Sequence, residues 1–202
     1  MATKNGKIKQ FLITGSPGIG KTSLIKKIVE ALKTKQIRCS GFFTEEIRSG
    51  GLRIGFDVVT LDNQRSALAR INNDADNTTV RTREYKVGQY TVNLTSFEQT
   101  ALITLQPPAK DQHSTFLYIV DEVGKMELFS QRFVQAVQKL MSVPNAIMIA
   151  TIPVARGKTI ALVEELKKKP NSQLFEVTHQ NRDGILTEVM TAIEVSLSSL
   201  NN

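Results

Sequence analysis

The sequence predicts an α/β protein of three layers: a mainly parallel sheet between helices, with a β-rich insertion at about 44–94. Three observations predict it. Phe116–Val120 and Ala146–Ile152 are short, continuous apolar runs, the pattern of strands buried on both faces. They alternate with stretches such as Lys21–Lys35, where apolar residues recur at helical spacing, and that alternation favours a parallel sheet. Between the first helix and the later core strands, Gly and Asn turn signals divide a run of β-prone pieces.

Taken in order, Ile8–Thr14 is β-prone and ends at a Gly/Pro cluster, so a strand runs into a loop. In the helix that follows, Leu24, Ile25, Ile28, Val29 and Leu32 share one face. Ile37–Phe43 reads as a second strand, and Thr44–Arg48 leads into the turn signal Ser49-Gly50-Gly51. Leu52–Leu61 and Ser66–Ile71, divided by Asp62-Asn63, complete a β-meander inserted between the core units. The polar stretch 72–84 predicts an exposed loop, and Val87–Leu94 returns to a strand. Thr95-Ser96-Phe97-Glu98 has the form of a capping box, starting a helix that runs to about Leu105 before Pro107-Pro108 stops it. Glu127–Met141, Thr159–Lys169 and Asp183–Leu200 read as helices, and Gln173–Thr178 as the last strand.

The chain has 202 residues, 41% hydrophobic and 22% charged, enough for one domain over 1–202 with a sizeable core and a flexible tail at 1–8. No apolar run approaches a membrane span and no secretory signal opens the chain, so no membrane partner is expected. Cys39 is the one cysteine, which excludes an internal disulfide framework and a cysteine zinc site and fits an intracellular, cytoplasmic setting. His113 and His179 are far apart, which argues against a histidine metal cluster. A net charge of +7 draws polyanions: nucleotides first, with nucleic acid a lesser expectation, since no basic stripe interleaved with aromatics is present. The expected oligomeric state is a monomer.

Gly15-Ser16-Pro17-Gly18-Ile19-Gly20-Lys21-Thr22 carries the chemistry most clearly. It matches G-x-x-x-x-G-K-[ST], the Walker A phosphate loop, with a strand before it and a helix after it. Glycines let backbone N–H groups close around phosphates, and the helix start turns its positive end to the anion. Lys21 can reach the β- and γ-phosphates, and the Thr22 hydroxyl can hold Mg²⁺; Ser23 follows at the helix start. Phe116–Val120 then ends in Asp121-Glu122, the form of a Walker B segment. Asp121 would order Mg²⁺ from the carboxyl end of its strand, and Glu122 would polarise a water. Asp121-Glu122-Val123-Gly124 also fits D-x-x-G, yet no N-K-x-D segment follows to read guanine.

Other positions stay open between two readings. Arg156 or Lys158, after a core strand, could meet charge on the γ-phosphate or be solvated loop cations. Thr151 could sense phosphate or water, or pack in the core. Glu45 and Glu46 could approach water or metal, or serve a hairpin. Asn181 and Arg182 follow the last strand, where a base could be touched, or form a helix-entry loop. Lys125 and Glu127 could wall the site or lie at the surface of a helix start.

Several segments together resemble the small cancer-related nucleoside-triphosphatase family: Phe42-Phe43-Thr44-Glu45-Glu46-Ile47-Arg48, Arg53-Ile54-Gly55-Phe56-Asp57, Val87-Gly88-Gln89-Tyr90, Asp121-Glu122-Val123-Gly124-Lys125-Met126-Glu127-Leu128 and Thr151-Ile152-Pro153. The resemblance spans about Lys9 to Leu197 and departs in the Lys-rich start and the 72–84 loop. It implies a P-loop NTPase of the RecA-like, additional-strand, catalytic-glutamate type that hydrolyses ATP, GTP and other nucleoside triphosphates with Mg²⁺. It also implies that Gly15–Thr22 binds phosphates and that Tyr118, Ile119, Val120, Asp121, Glu122, Val123, Gly124 and Lys125 form a second nucleotide-contacting segment. The rival readings are a small-molecule or nucleotide kinase, which shares the loop but needs an acceptor pocket, and an NTP-switched module that binds RNA or protein.

Overall fold

The structure, a computed structural model, describes residues 7–71, 85–106, 115–155 and 159–200. The elements run β1 (Gln10–Gly15), α1 (Lys21–Thr34), β2 (Cys39–Ser49), β3 (Leu52–Thr60), β4 (Arg65–Ile71), β5 (Lys86–Val87), β6 (Tyr90–Val92) and α2 (Leu94–Thr104). After these come β7 (Phe116–Val120), a single 3-10 turn (Glu127–Phe129), α3 (Gln131–Ser142), β8 (Ala146–Thr151), α4 (Ala161–Lys168), β9 (Ser172–Val177) and α5 (Ile185–Leu200). The 72–84 loop, Pro107-Pro108, Arg156 and Lys158 lie outside the described residues.

Among the described residues one nine-stranded sheet forms, in the order β5-β6-β4-β3-β2-β7-β8-β1-β9. From β2 to β9 every neighbouring pair is parallel. From β2 to β5 every pair is antiparallel. The sheet is therefore mixed, which corrects the expected mainly parallel one. The reason lies in the connections. The β-rich segment folds through tight turns at Gly50-Gly51 and around Asn63, both in positive-φ backbone, and so short a link joins only antiparallel neighbours. These strands extend the free edge of β2 rather than build a separate layer.

Helices cover both faces. Alternate residues of a strand point to opposite sides, and β1 does this with Leu12 against Phe11 and Ile13. One core joins Leu12, Phe42, Tyr118 and Val120 to α2, α3 and α4. Its centre is an aromatic triad, Phe42, Phe97 and Phe133, with ring centroids 5.4–6.0 Å apart in edge-to-face packing. The other core joins Phe11, Ile13 and Ile119 to α1 and α5, through Leu24, Ile25, Ile28 and Leu32 on one side and Val189 and Ile193 on the other.

Two helix boundaries differ from expectation. Asn93, not Thr95, caps α2: its Oδ1 accepts from the Ser96 N–H at 3.0 Å. Glu98, the expected reciprocal partner of a capping box, instead accepts from the Ser130 hydroxyl at 2.6 Å and from Arg132. The stretch read as one helix from Glu127 breaks at Ser130, which is extended (φ −81, ψ 109) and accepts from Phe133 N–H at 3.0 Å. A serine cap there starts α3 afresh and frees 121–129 to turn at the sheet edge.

Candidate active site

The parallel strands β1, β7 and β8 end at one edge of the sheet, where ligands of α/β proteins gather. The loop Ser16–Gly20 leaves β1 there and enters α1 at Lys21. Gly15 sits against β9 so closely that a Cβ would lie 2.6 Å from the Val177 carbonyl oxygen. No side chain caps α1, and no acid occupies its first turn. Its first N–H groups, which a helix cannot pair internally, are thus available to an anion. Lys21 lies across the loop, its Nζ donating to the carbonyls of Gly15 at 3.0 Å and Ser16 at 3.4 Å.

Asp121 closes β7 and is 1% exposed. Thr151, at the end of neighbouring β8, donates its hydroxyl to Asp121 Oδ1. Oδ2 is buried with no hydrogen-bond partner among the described residues. Burial pushes this carboxyl's pKa up, against the Thr151 and Thr22 hydroxyls, the Lys21 ammonium and the Thr44 backbone that face it. An orphaned carboxylate oxygen beside a threonine hydroxyl is a pair of hard donors, the chemistry that suits Mg²⁺. Among the described residues no group of three or more His, Cys, Asp or Glu could hold a metal. Mg²⁺ does not need one, since one or two carboxylates and the substrate's phosphates suffice.

Glu122 is half-buried, and its pKa is raised, first by burial and then by Asp121, with Lys21 pulling the other way. It lines a cleft of about 990 Å³ together with Gly18, Lys21, Thr22 and Lys125. The β2–β3 hairpin forms the opposite wall through Thr44, Glu45, Glu46, Arg48, Arg53 and Phe56. Pro153, Ile160 and Val163 line a third side. In the register Phe42↔Val120, β2 runs on past the end of β7, so its next residues stand beside the cleft.

Glu45 and Glu46 are in the wall but engaged. Glu45 bonds Lys26 at 2.5 Å and also Arg65, and the Lys26 bond is the main cause that lowers its pKa. Glu46 pairs with Arg48 at 2.6 Å and Arg53 at 2.9 Å. Burial works against its charge, but the two guanidinium groups outweigh it and the pKa is lowered. Arg53 also donates to the Tyr90 hydroxyl at 2.8 Å and lies over the Phe56 ring.

The structure brings together Gly15, Pro17, Gly18, Gly20, Lys21, Thr22, Ser23, Glu122 and Lys125 along this cleft. It separates others from it. Tyr118, Ile119, Val120 and Val123 are core residues, 1% exposed or less. β7 is sandwiched between helices, so both of its faces are taken, and the Tyr118 hydroxyl donates to the Gln106 carbonyl at 3.5 Å. Ile19 is 5% exposed and packs in the second core, and its backbone N–H donates to the Ser16 carbonyl at 3.2 Å. Ser16 is exposed outside the cleft lining. Asn181 is spent on its own loop: Oδ1 accepts from Thr178 N–H at 2.8 Å and Nδ2 donates to the Glu176 carbonyl at 2.8 Å. Arg182 is exposed, 4.0 Å from Asp183, and does not line the cleft. Gly124 is buried under Glu122. Glu127 is no surface residue: it is 5% exposed, and its pKa is raised to about 8, first by burial and then by Glu122.

Sequence reasoning missed Lys26 and the α4 residue Val163 as cleft residues, and gave Arg48 and Phe56 only as parts of the segments that carry the family resemblance. Lys26 carried a usable signal, four residues after Thr22 and hence on the same side of α1. The hairpin and α4 residues carried none without the strand order.

A family model described as NTPase matches residues 10–190. A bovine protein named cancer-related nucleoside-triphosphatase homolog is 47% identical over 189 residues, 93% of this chain and 98% of the relative. The solution structure of a human cancer-related nucleoside triphosphatase aligns with a TM-score of 0.78 at 45% identity, covering 93% of this chain and 98% of the other. The crystal structure of THEP1 from the hyperthermophile Aquifex aeolicus aligns with a TM-score of 0.75 at 36% identity, covering 92% and 99%.

Proposed function

The chain belongs to the NTPase family and is a nucleoside-triphosphatase, and we propose that it hydrolyses ATP, GTP and other nucleoside triphosphates in a Mg²⁺-dependent, RecA-like site. One observation carries the proposal. The orphaned Oδ2 of Asp121 lies beside Thr22, next to the loop that would hold phosphates, and the next residue, Glu122, lines the cleft together with Thr22. The strand order supports the additional-strand type, because β8 stands between β1, which leads into the phosphate loop, and β7, which carries the acids.

The backbone N–H groups of the loop and of the first turn of α1 bind the phosphate oxygens. Lys21, tethered to the Gly15 carbonyl, turns its ammonium to the β- and γ-phosphates. Thr22 and Asp121 would hold Mg²⁺, which when bound neutralises charge on the phosphate oxygens. Thr151 fixes Asp121 through Oδ1, and Oδ2 is left without a hydrogen-bond partner among the described residues. Glu122 orients the attacking water and draws on its proton as the oxygen approaches the γ-phosphorus. The water's P–O bond forms, the bond from the γ-phosphorus to the bridging oxygen breaks, and the diphosphate and inorganic phosphate leave. Broad base tolerance is supported by the family resemblance and by Asn181 and Arg182 standing outside the cleft lining.

The test is phosphate release from ATP, GTP, CTP and UTP, with Mg²⁺ and with EDTA, beside Glu122→Gln. Mg²⁺-dependent release from several nucleotides, lost in the variant, is the expected result. Tight binding without release overturns the proposal in favour of a kinase awaiting its acceptor or a switch awaiting its partner.

A further inference from the structure

Arg53 has no part in the steps above, yet it is fixed at the cleft by four contacts. Its Nε donates to the Tyr90 hydroxyl at 2.8 Å and its Nη1 to Glu46 Oε1 at 2.9 Å. Its guanidinium carbon lies 5.1 Å from the centroid of the Phe56 ring and 5.6 Å from that of Tyr90. The two rings pack edge to face on each other at 5.3 Å. The side chain nevertheless stays 42% exposed where it lines the cleft. Two of its donors are spent and Glu46 offsets its charge, so what the group chiefly offers a ligand is the flat face of the guanidinium.

Its place along the cleft matters too. Phe42 is the last β2 residue paired with β7, and Arg53 pairs with Arg48 well beyond it. At ~3.3 Å per residue, roughly 20 Å of strand separates Arg53 from the edge that carries the phosphate loop. The base is the end of a nucleotide farthest from the γ-phosphate. We propose that Arg53 is the base-binding residue of the site: its guanidinium, held against Phe56 and Tyr90, stacks on the nucleobase. The inference rests on the reading of this cleft as the nucleotide site. Stacking grips a base without identifying it, because every base has a π-face. Among the described residues no Asn or Gln lines the cleft to read a base edge, and Glu45, Glu46 and Glu164 are each paired with a cation. The site then takes any nucleobase but favours a nucleoside polyphosphate over an inorganic one.

The experiment is calorimetric binding of ADP, GDP, CDP, UDP and inorganic pyrophosphate, with Mg²⁺, to the full chain and to R53A, R53K and K21A. Melting temperature is the fold control. R53A is expected to weaken all four diphosphates ~10-fold and to leave pyrophosphate within about twofold. R53K keeps the charge and the stem but has no flat face, and is expected to lose as much as R53A. It answers the same question should R53A not fold. Y90F removes one anchor of the guanidinium and is expected to lose ~2–3-fold in the same pattern. Unchanged diphosphate affinity in R53A, wild-type affinity in R53K, or an equal loss for pyrophosphate overturns the proposal. The last of these would place Arg53 on a phosphate. K21A is expected to lose diphosphates and pyrophosphate alike. Full binding by K21A would sink the reading of the cleft itself, whereas a weak K21A beside an unaltered R53A sinks only the base contact.

Discussion

The two halves of the sheet handle charge in opposite ways. In the parallel half, β2 and β7 to β9, the acid that matters is hidden: Asp121 is 1% exposed and keeps one oxygen without a partner among the described residues. In the antiparallel half the charges neutralise one another. Glu45 meets Lys26 and Arg65, Glu46 meets Arg48 and Arg53, and Asp57 meets Arg65 and Arg70. A parallel sheet buried on both faces exposes polar groups only where its strands end, so chemistry collects at that edge. The hairpins rise past the edge and close a cleft, and their paired charges give it shape rather than reactivity.

The largest effects should therefore fall on the parallel edge. Lys21→Ala is expected to weaken nucleotide binding and abolish turnover, and Glu122→Gln to keep binding while losing ~10²-fold or more in kcat. Asp121→Asn is expected to cost ~10-fold or more in kcat and to raise the Mg²⁺ concentration needed for half-maximal rate. Single-turnover release and Mg²⁺ titration separate the three. If Asp121→Asn left the Mg²⁺ requirement unchanged, the metal assignment would move elsewhere.

The next effect comes from the antiparallel half and is one of stability. Asp57 is 5% exposed, and it bonds Arg70 as well as Arg65 at 3.1 Å. Both arginines are partly exposed, 41% and 45%, so they can turn to water when the acid is removed. Asp57→Ala is expected to cost about 1.5–3 kcal/mol, the range for a hydrogen bond to a charged group, rather than the larger penalty of a stranded buried ion. Urea unfolding measures it, and kcat of the folded fraction should hold.

How legible this was in the sequence follows from the same contrast. The phosphate loop and Asp121 stand out because a strand buried on both faces is a continuous apolar run, and its end marks the edge. The same fact tells against Tyr118, Ile119 and Val120 as ligand contacts: inside such a strand every side chain already has a core neighbour. The length of β2 was hidden, because Thr44–Ser49 is polar and reads as a turn approach. Pairing to β3, Thr44↔Val58 through Ser49↔Leu52, keeps it extended. Asn181 follows a strand as a base-reading residue would, but its side chain closes a local turn, the ordinary use of asparagine. Glu127 looked exposed because the break at Ser130 was not foreseen, and the 3-10 turn carries it inward.

Glu127 sharpens the comparison through pH. Its pKa is raised from an ordinary 4.5 to about 8. Between those values the folded protein holds a proton that the unfolded chain has released, so this group makes stability fall as pH rises through the window. Glu127→Gln removes that dependence. The variant is expected to melt above the wild type at pH 8 and to lose that advantage toward pH 5, with ~2–4 °C for each kcal/mol involved. Parallel melting curves that never cross or converge would show that the buried acid is not titrating there.

The smallest effect is expected at Glu46, where the comparison is easiest to break. Its side chain is 41% exposed and its two partners are 57% and 42% exposed. Exposed pairs of this kind contribute about 0–1 kcal/mol, because water and salt screen them. Glu46→Gln should keep melting temperature, kcat and KM within about twofold equivalents of the wild type, with any KM shift shrinking at high salt. Losing the carboxylate also frees Arg48 and Arg53 beside the cleft, so the informative outcome is the direction of KM. A modest fall means that the released cations meet phosphate only as a diffuse field. A kcat change of ~10-fold in either direction would be too large for such a field. It would give the antiparallel wall a chemical role at the γ-phosphate, and the division between a reactive edge and an inert wall would have to be redrawn.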